Sequence, residues 1–137
     1  MTTRIVPVAD TALLVELGSS IDEAVNARVL NLAAALRDAD LAGIGDIVPT
    51  YRSLLVRFDP DRLARDVLRA RLEVLLGSVD ARAPAGRHWC VPVVYGGPFG
   101  IDLAAVAAAK GLGEDELAHR HAAATYRVFL IGFQPGF

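Results

Sequence analysis

The chain has 137 residues, 53% hydrophobic and 22% charged, with a formal net charge of −2 and an isoelectric point near 5.9. This describes a globular protein with one good core or two small ones; it excludes a disordered chain and gives no basis for general affinity to nucleic acid or anionic membrane. One cysteine cannot form an intramolecular disulfide, the start Met1-Thr2-Thr3-Arg4 lacks the apolar core of a signal peptide, and no apolar run approaches the roughly eighteen residues of a membrane span, so the expected location is the cytoplasm.

From Ile5 to Leu17 the pattern predicts two short strands around an Asp10-Thr11 turn, with Leu13, Val15 and Leu17 alternating against Ala12, Leu14 and Glu16. Ser20 stands three positions before Glu23, an expected N-cap, and Ile21, Val25, Val29, Leu32 and Leu36 recur at helical spacing up to about Asp38. Ile47 to Tyr51 and Ser53 to Phe58 read as a hairpin with Leu54, Val56 and Phe58 on one face. Asp59-Pro60 is expected to cap a second helix. Its apolar stripe is Ala64, Val67, Leu68, Leu72 and Leu75; Arg62, Arg65, Arg69 and Arg71 form a solvated face, with Asp61 paired to Arg65. Thirteen of the 14 basic residues are Arg, and they form no basic block.

Residues 77–87 read as a linker rich in Gly, Ser, Pro, Ala and charge. Beyond it Trp89, Val91, Val93 and Tyr95 alternate as in a strand, and Pro92 suits an edge position. A Gly/Pro turn over 96–100 leads to a short helix capped by Asp102 and closed by Gly111. A second helix over about 114–124 and a terminal strand from Tyr126 to Phe133 follow. The first unit is therefore ββαββα, a two-layer α+β sandwich of about eighty residues. The second is strand, helix, helix, strand, and runs into a Gly/Pro turn at 132–137. Two such strands are marginal alone, so this region is expected to be completed by a further segment or a second polypeptide.

Familiar catalytic patterns are missing: no GxSxG elbow, no P-loop lysine and no CxxC. Cys90, within the expected strand, reads as a buried structural residue. Glu116, His119 and His121 suggest a metal site only weakly, because His119 and His121 point different ways on a helix and no second acidic pair completes a ligand set. His121 follows Leu117 by four residues on the apolar stripe, which leaves two readings: a hydrogen-bonded core histidine or a polar group lining a pocket. The loop from Tyr95 to Gly100 joins a strand end to a helix start, where backbone N–H groups can bind an anion. With Asp102 at that helix start, a simple turn is the favoured reading.

Four ordered segments carry a resemblance: Asp10-Thr11-Ala12-Leu13-Leu14-Val15; Val48-Pro49-Thr50-Tyr51-Arg52-Ser53-Leu54-Leu55-Val56; Val91-Pro92-Val93-Val94-Tyr95-Gly96-Gly97-Pro98-Phe99-Gly100-Ile101-Asp102-Leu103; and Ile131-Gly132-Phe133-Gln134-Pro135-Gly136-Phe137. Together they resemble the allophanate hydrolase subunit 1 family, also called the carboxyltransferase C and D subdomain family. It includes the B subunit of bacterial 5-oxoprolinase and the Kip-type inhibitor of a sporulation histidine kinase. The resemblance implies a small N-terminal α+β domain over 1–80 and, over 81–137, the opening part of a cyclophilin-like β-barrel domain. It also implies a non-autonomous subunit of an ATP-dependent amidohydrolase that opens 5-oxo-L-proline to L-glutamate. The implied partners are a homologous carboxyltransferase A/B-type subunit and a further lactam-utilisation subunit. ATP is used by the complex, and no nucleotide motif stands in this chain. Alternatives are a regulatory inhibitor that binds a sensor histidine kinase, or an allophanate hydrolase or urea carboxylase component. His121 is the implied catalytic residue, with Tyr95, Gly96, Gly97, Phe133, Pro135 and Gly136 shaping the substrate site and no metal.

Overall fold

The computed structural model describes residues 3–132, which divide into two compact units. One runs to Ala85 and takes in the segment from Val128; the other spans Gly86–Arg127.

The first unit begins with β1 (Arg4–Ala9) and β2 (Ala12–Glu16), an antiparallel hairpin around Asp10-Thr11. Helix α1 (Glu23–Asp38) follows, then the hairpin β3 (Ile44–Pro49) and β4 (Ser53–Phe58), then α2 (Arg65–Ser78). The sheet order is β1-β2-β4-β3, antiparallel throughout. The central pairing sets Leu13 opposite Val56 and Val15 opposite Leu54, so the buried side chains of both hairpins fall on one face. Against them α1 lays Val25, Val29, Leu32, Ala33 and Leu36, and α2 lays Leu68, Leu72 and Leu75. Pro7 lies on an edge strand, next to a register break, where a missing N–H costs no central ladder bond. On the second face Val6, Leu14, Leu55 and Val48 form a row across all four strands, between the Arg4–Glu16 and Arg57–Asp46 ion pairs.

Several boundaries differ from expectation. Asp22, not Ser20, caps α1: its Oδ1 accepts from the Val25 N–H at 2.9 Å, and Ile21 is exposed. Asp59 caps a separate turn, its Oδ1 accepting from Asp61 N–H and its carbonyl from Leu63 N–H, so α2 starts one turn later. Asp61 consequently lies off the helix, and Arg65 instead reaches the carbonyl of Asp10 at 3.2 Å and its carboxylate at 3.6 Å. Val67 is 57% exposed and Ala64 is also exposed; Leu63, from the preceding turn, is buried in the core in their place.

The 79–85 stretch is anchored. Asn31 of α1 donates its amide to the Asp80 carbonyl and carboxylate, both at 3.2 Å, and to the Arg82 carbonyl at 3.0 Å.

In the second unit the expected strand over 89–95 does not form, and the described residues from Tyr126 to Gly132 form none either. A strand exists through its ladder hydrogen bonds, and these segments find no ladder partner among the described residues. Trp89, Val91 and Val93 are 72%, 74% and 50% exposed. Cys90, expected to be buried, is exposed for the same reason. The second unit's ordered elements are helical: a 3-10 turn (Gly97–Phe99), α3 (Leu103–Lys110) and α4 (Glu114–Ala123).

Candidate functional site

Tyr95 enters the site from a glycine-built turn. Gly96 and Gly97 take φ of 79° and 55°, a region that L side chains rarely adopt, and the Gly100 N–H closes the turn on the Gly96 carbonyl at 3.1 Å. A Cβ on Gly100 would collide with the Gly96 backbone nitrogen, so the backbones approach too closely for any side chain there. These glycines are accounted for by the turn itself. Asp102 stands at the N-cap position of α3, but its side chain makes no capping hydrogen bond. Gly111 ends α3 in the left-handed conformation, with its own N–H on Ala108 and the Leu112 N–H on Ala107, which turns the chain into α4.

On the last turn of α4, His121 is exposed; it is not the core histidine that the apolar stripe allowed. It meets Tyr95, whose hydroxyl lies 2.5 Å from His121 Nδ1, with the two rings edge to face at 5.7 Å between centroids and 79°. Tyr126, just past the helix, places its ring 5.3 Å from the imidazole, tilted by 43°. Its hydroxyl donates at 3.3 Å to the His121 carbonyl, which also accepts the Ala124 N–H at the end of α4. Of the residues expected at the site, Tyr95 and His121 thus come together, with Gly96 and Gly97 directly following Tyr95 in the chain. Phe133, Pro135 and Gly136 lie outside the described residues. Tyr126 had no site role in the sequence reading; its signal is an aromatic five positions after His121, readable only once the helix end is known.

Glu116 is engaged elsewhere. Arg120 donates to its carboxylate at 2.6 Å, and this hydrogen bond, with the charge of Arg120 and a smaller contribution from His119, holds the carboxyl below its ordinary value of 4.5. Among the described residues no three His, Cys, Asp or Glu side chains converge as a metal ion requires.

Asn26 was also missed. Buried to 1% exposure on α1, it donates its amide at 3.2 Å to the carbonyls of both Thr50 and Phe129. Thr50 shapes the β3–β4 turn, its hydroxyl accepting from the Ser53 N–H at 3.0 Å. Asn26 therefore ties the Pro49-Thr50-Tyr51-Arg52-Ser53 turn to the segment that precedes Ile131. Its sequence signal is a single amide beside Val25 on a helix that otherwise buries apolar groups.

Residues 3–137 match the family described as carboxyltransferase domain, subdomain C and D. The chain belongs to that family. It is 35% identical over 131 residues to the B subunit of 5-oxoprolinase from Escherichia coli O157:H7, covering 95% of this chain and 59% of that protein. To the B subunit of 5-oxoprolinase from Bacillus subtilis strain 168 it is 29% identical over 150 aligned positions, covering all of this chain and 62% of the relative. The crystal structure of TTHA0988 superposes with a TM-score of 0.75 at 37% identity, over 91% of this chain and 24% of that one. The chain thus spans about six-tenths of the length of these curated relatives.

Proposed function

We propose that this chain acts as the B-type component of a 5-oxoprolinase, a non-autonomous part of an ATP-dependent amidohydrolase assembly that opens 5-oxo-L-proline to L-glutamate. The observation that carries this reading is the 35% identity, over nearly the whole chain, to the B subunit of 5-oxoprolinase from Escherichia coli O157:H7. In the reaction, water adds to the lactam carbonyl and the ring C–N bond breaks. The water oxygen ends in the new carboxylate, the ring nitrogen takes up a proton, and a second water cleaves ATP to ADP and phosphate elsewhere in the assembly. The proposed partners are a homologous carboxyltransferase A/B-type subunit and a lactam-utilisation subunit, with residues 81–137 opening a cyclophilin-like domain. His121 is the proposed catalytic residue. Tyr95, Gly96, Gly97, Phe133, Pro135 and Gly136 are proposed to shape its surroundings.

The exposure of His121, with Tyr95 half-buried beside it, supports dependence on partners. A hydrogen-bond donor stabilises developing charge strongly only where water is excluded, and at an open surface water competes with it. The test is ATP-dependent glutamate formation from 5-oxo-L-proline. The 137-residue chain alone is expected to form none, and mixing it with the two partner subunits is expected to produce turnover. Turnover by the chain alone would overturn its non-autonomy. An assembly active on allophanate or urea but not on 5-oxo-L-proline would overturn the substrate.

A further inference from the structure

We infer that Tyr95 is a positioning residue that keeps the ring proton of His121 on Nε2, so that His121 serves as a hydrogen-bond donor to a carbonyl or carboxylate oxygen and not as a base. The substrate side of this inference rests on the proposed function; the state of the ring does not.

The argument starts from the 2.5 Å separation of the Tyr95 hydroxyl and His121 Nδ1, which makes this nitrogen one end of a short hydrogen bond. Neutral imidazole has one N–H and one lone pair, and the bond made by one nitrogen decides the state of the other. A phenol, with an ordinary pKa of about 10, is a better donor than acceptor, whereas the unprotonated imidazole nitrogen is a good acceptor. For the neutral ring the favoured arrangement is therefore Tyr95 O–H donating to Nδ1, with the proton on Nε2. When the ring is charged both nitrogens carry protons, Nδ1–H donates to the phenol oxygen, and Nε2 still bears a proton. In both states Nε2 is a donor. A base would need the Nε2 lone pair, and reaching it requires the Nδ1–H tautomer, in which the phenol must act as acceptor.

Two further contacts restrain the ring. Tyr95 meets it edge to face and Tyr126 lies against it at a tilt of 43°, while the Tyr126 hydroxyl is tied to the His121 backbone carbonyl. Nδ1 is occupied, and among the described residues nothing bonds Nε2, which leaves it as the ring's functional atom. The matching ligand chemistry is an oxygen that gains negative charge, such as the lactam carbonyl during addition of water, or the carboxylate that results.

The experiment uses the full 137-residue chain with 15N-labelled histidine rings. Long-range 1H–15N correlation spectra would be recorded near pH 8.5, about two units above the ordinary imidazole pKa. H121Q identifies the His121 signals against those of His88 and His119. The expected result is a single Nε2–H tautomer with Nδ1 in a hydrogen-bonded state. In Y95F the Nδ1 signal should move while the His88 and His119 rings and the backbone amide spectrum stay in place. An Nδ1–H tautomer in the wild type, or His121 ring signals unchanged in Y95F, would overturn the inference.

A second readout uses the assembled complex turning over 5-oxo-L-proline. Glutamine carries an amide N–H near the position of Nε2–H, so H121Q should retain at least about tenfold more turnover than H121A, whose loss should be on the order of 10²–10³, as for removal of one oxyanion donor. Equal losses in H121Q and H121A would overturn the donor role. If the assembly turns over no 5-oxo-L-proline at all, the proposed function fails, and the ring spectra still decide the tautomer and the part Tyr95 plays in it.

Discussion

Asn26 is a polar side chain buried in the first unit at 1% exposure, and its loss should be felt through its hydrogen bonds. Asn26→Ala leaves the Thr50 and Phe129 carbonyls without its two hydrogen bonds, and the expected cost is roughly 1–3 kcal/mol, read as a lower urea midpoint with an unchanged slope. Asn26→Asp keeps the shape but sets a carboxylate against two carbonyl oxygens, so it should destabilise more than alanine does. If aspartate is tolerated better than alanine, the two hydrogen bonds are not what Asn26 contributes. Glu116 shows the opposite regime, an exposed pair whose signature is titration. Its folded carboxyl is held below the ordinary value by Arg120, so the stabilisation it gives α4 is present above the ordinary glutamate range and is lost as pH falls through the depressed folded value. In a carboxyl NMR titration Glu116 should titrate below the ordinary glutamate value. Arg120→Ala should return it toward 4.5; no movement would show that Arg120 is not the cause.

At the scale of elements, the glycine turn before α3 is a device for aiming Tyr95. Gly100→Ala would push a Cβ into the Gly96 backbone, and flexible side chains that might yield are not what it meets. The expected outcome is local: the Tyr95–His121 ring contact loosens, seen as shifted His121 ring signals, while the unfolding free energy of the first unit stays within about 0.5 kcal/mol of wild type. An unchanged His121 ring would show that the turn does not set the position of Tyr95. The stretch after α2 illustrates a different point. Its Gly, Pro and Ala composition reads as a linker, yet the side chain of Asn31 holds two of its carbonyls. Composition reports the lack of a regular ladder; it does not report docking by a side chain almost fifty residues earlier in the chain.

Across the whole molecule, hydrogen bonding is distributed unevenly. Backbone amides of β2, β4 and the middle of α1 lie in ladders and helix turns over a buried core, whereas 89–95 and 125–132 contribute to no strand or helix. Hydrogen exchange on the 137-residue chain should therefore show strong protection in β2, β4 and α1, partial protection in α3 and α4, and fast exchange over 89–95. Protection at 89–95 equal to that of β4 in a verified monomer would contradict this description.

What the sequence determined by itself was whatever depends on local period and on pairs close in the chain. The ββαββα order, the buried set Leu13, Val15, Leu54, Val56 and Phe58, and the stops at Asp38 and Gly111 were all legible, because alternation, helical spacing and a left-handed glycine act within a few residues. The same alternation misled at Trp89–Tyr95, since a period of two states which faces a strand would have and not whether a ladder partner is present. The four ordered segments were sufficient for the family; Tyr95 stands in one of them, whereas His121 stands in none and was singled out by its place on the second helix of that region. The distance between those two rings, the third ring at Tyr126, and the tie from Asn26 to Thr50 and Phe129 were decided only by the tertiary structure. Those contacts join residues up to 103 positions apart, and a hydrogen bond depends on separation in space, on which sequence spacing at that range is silent.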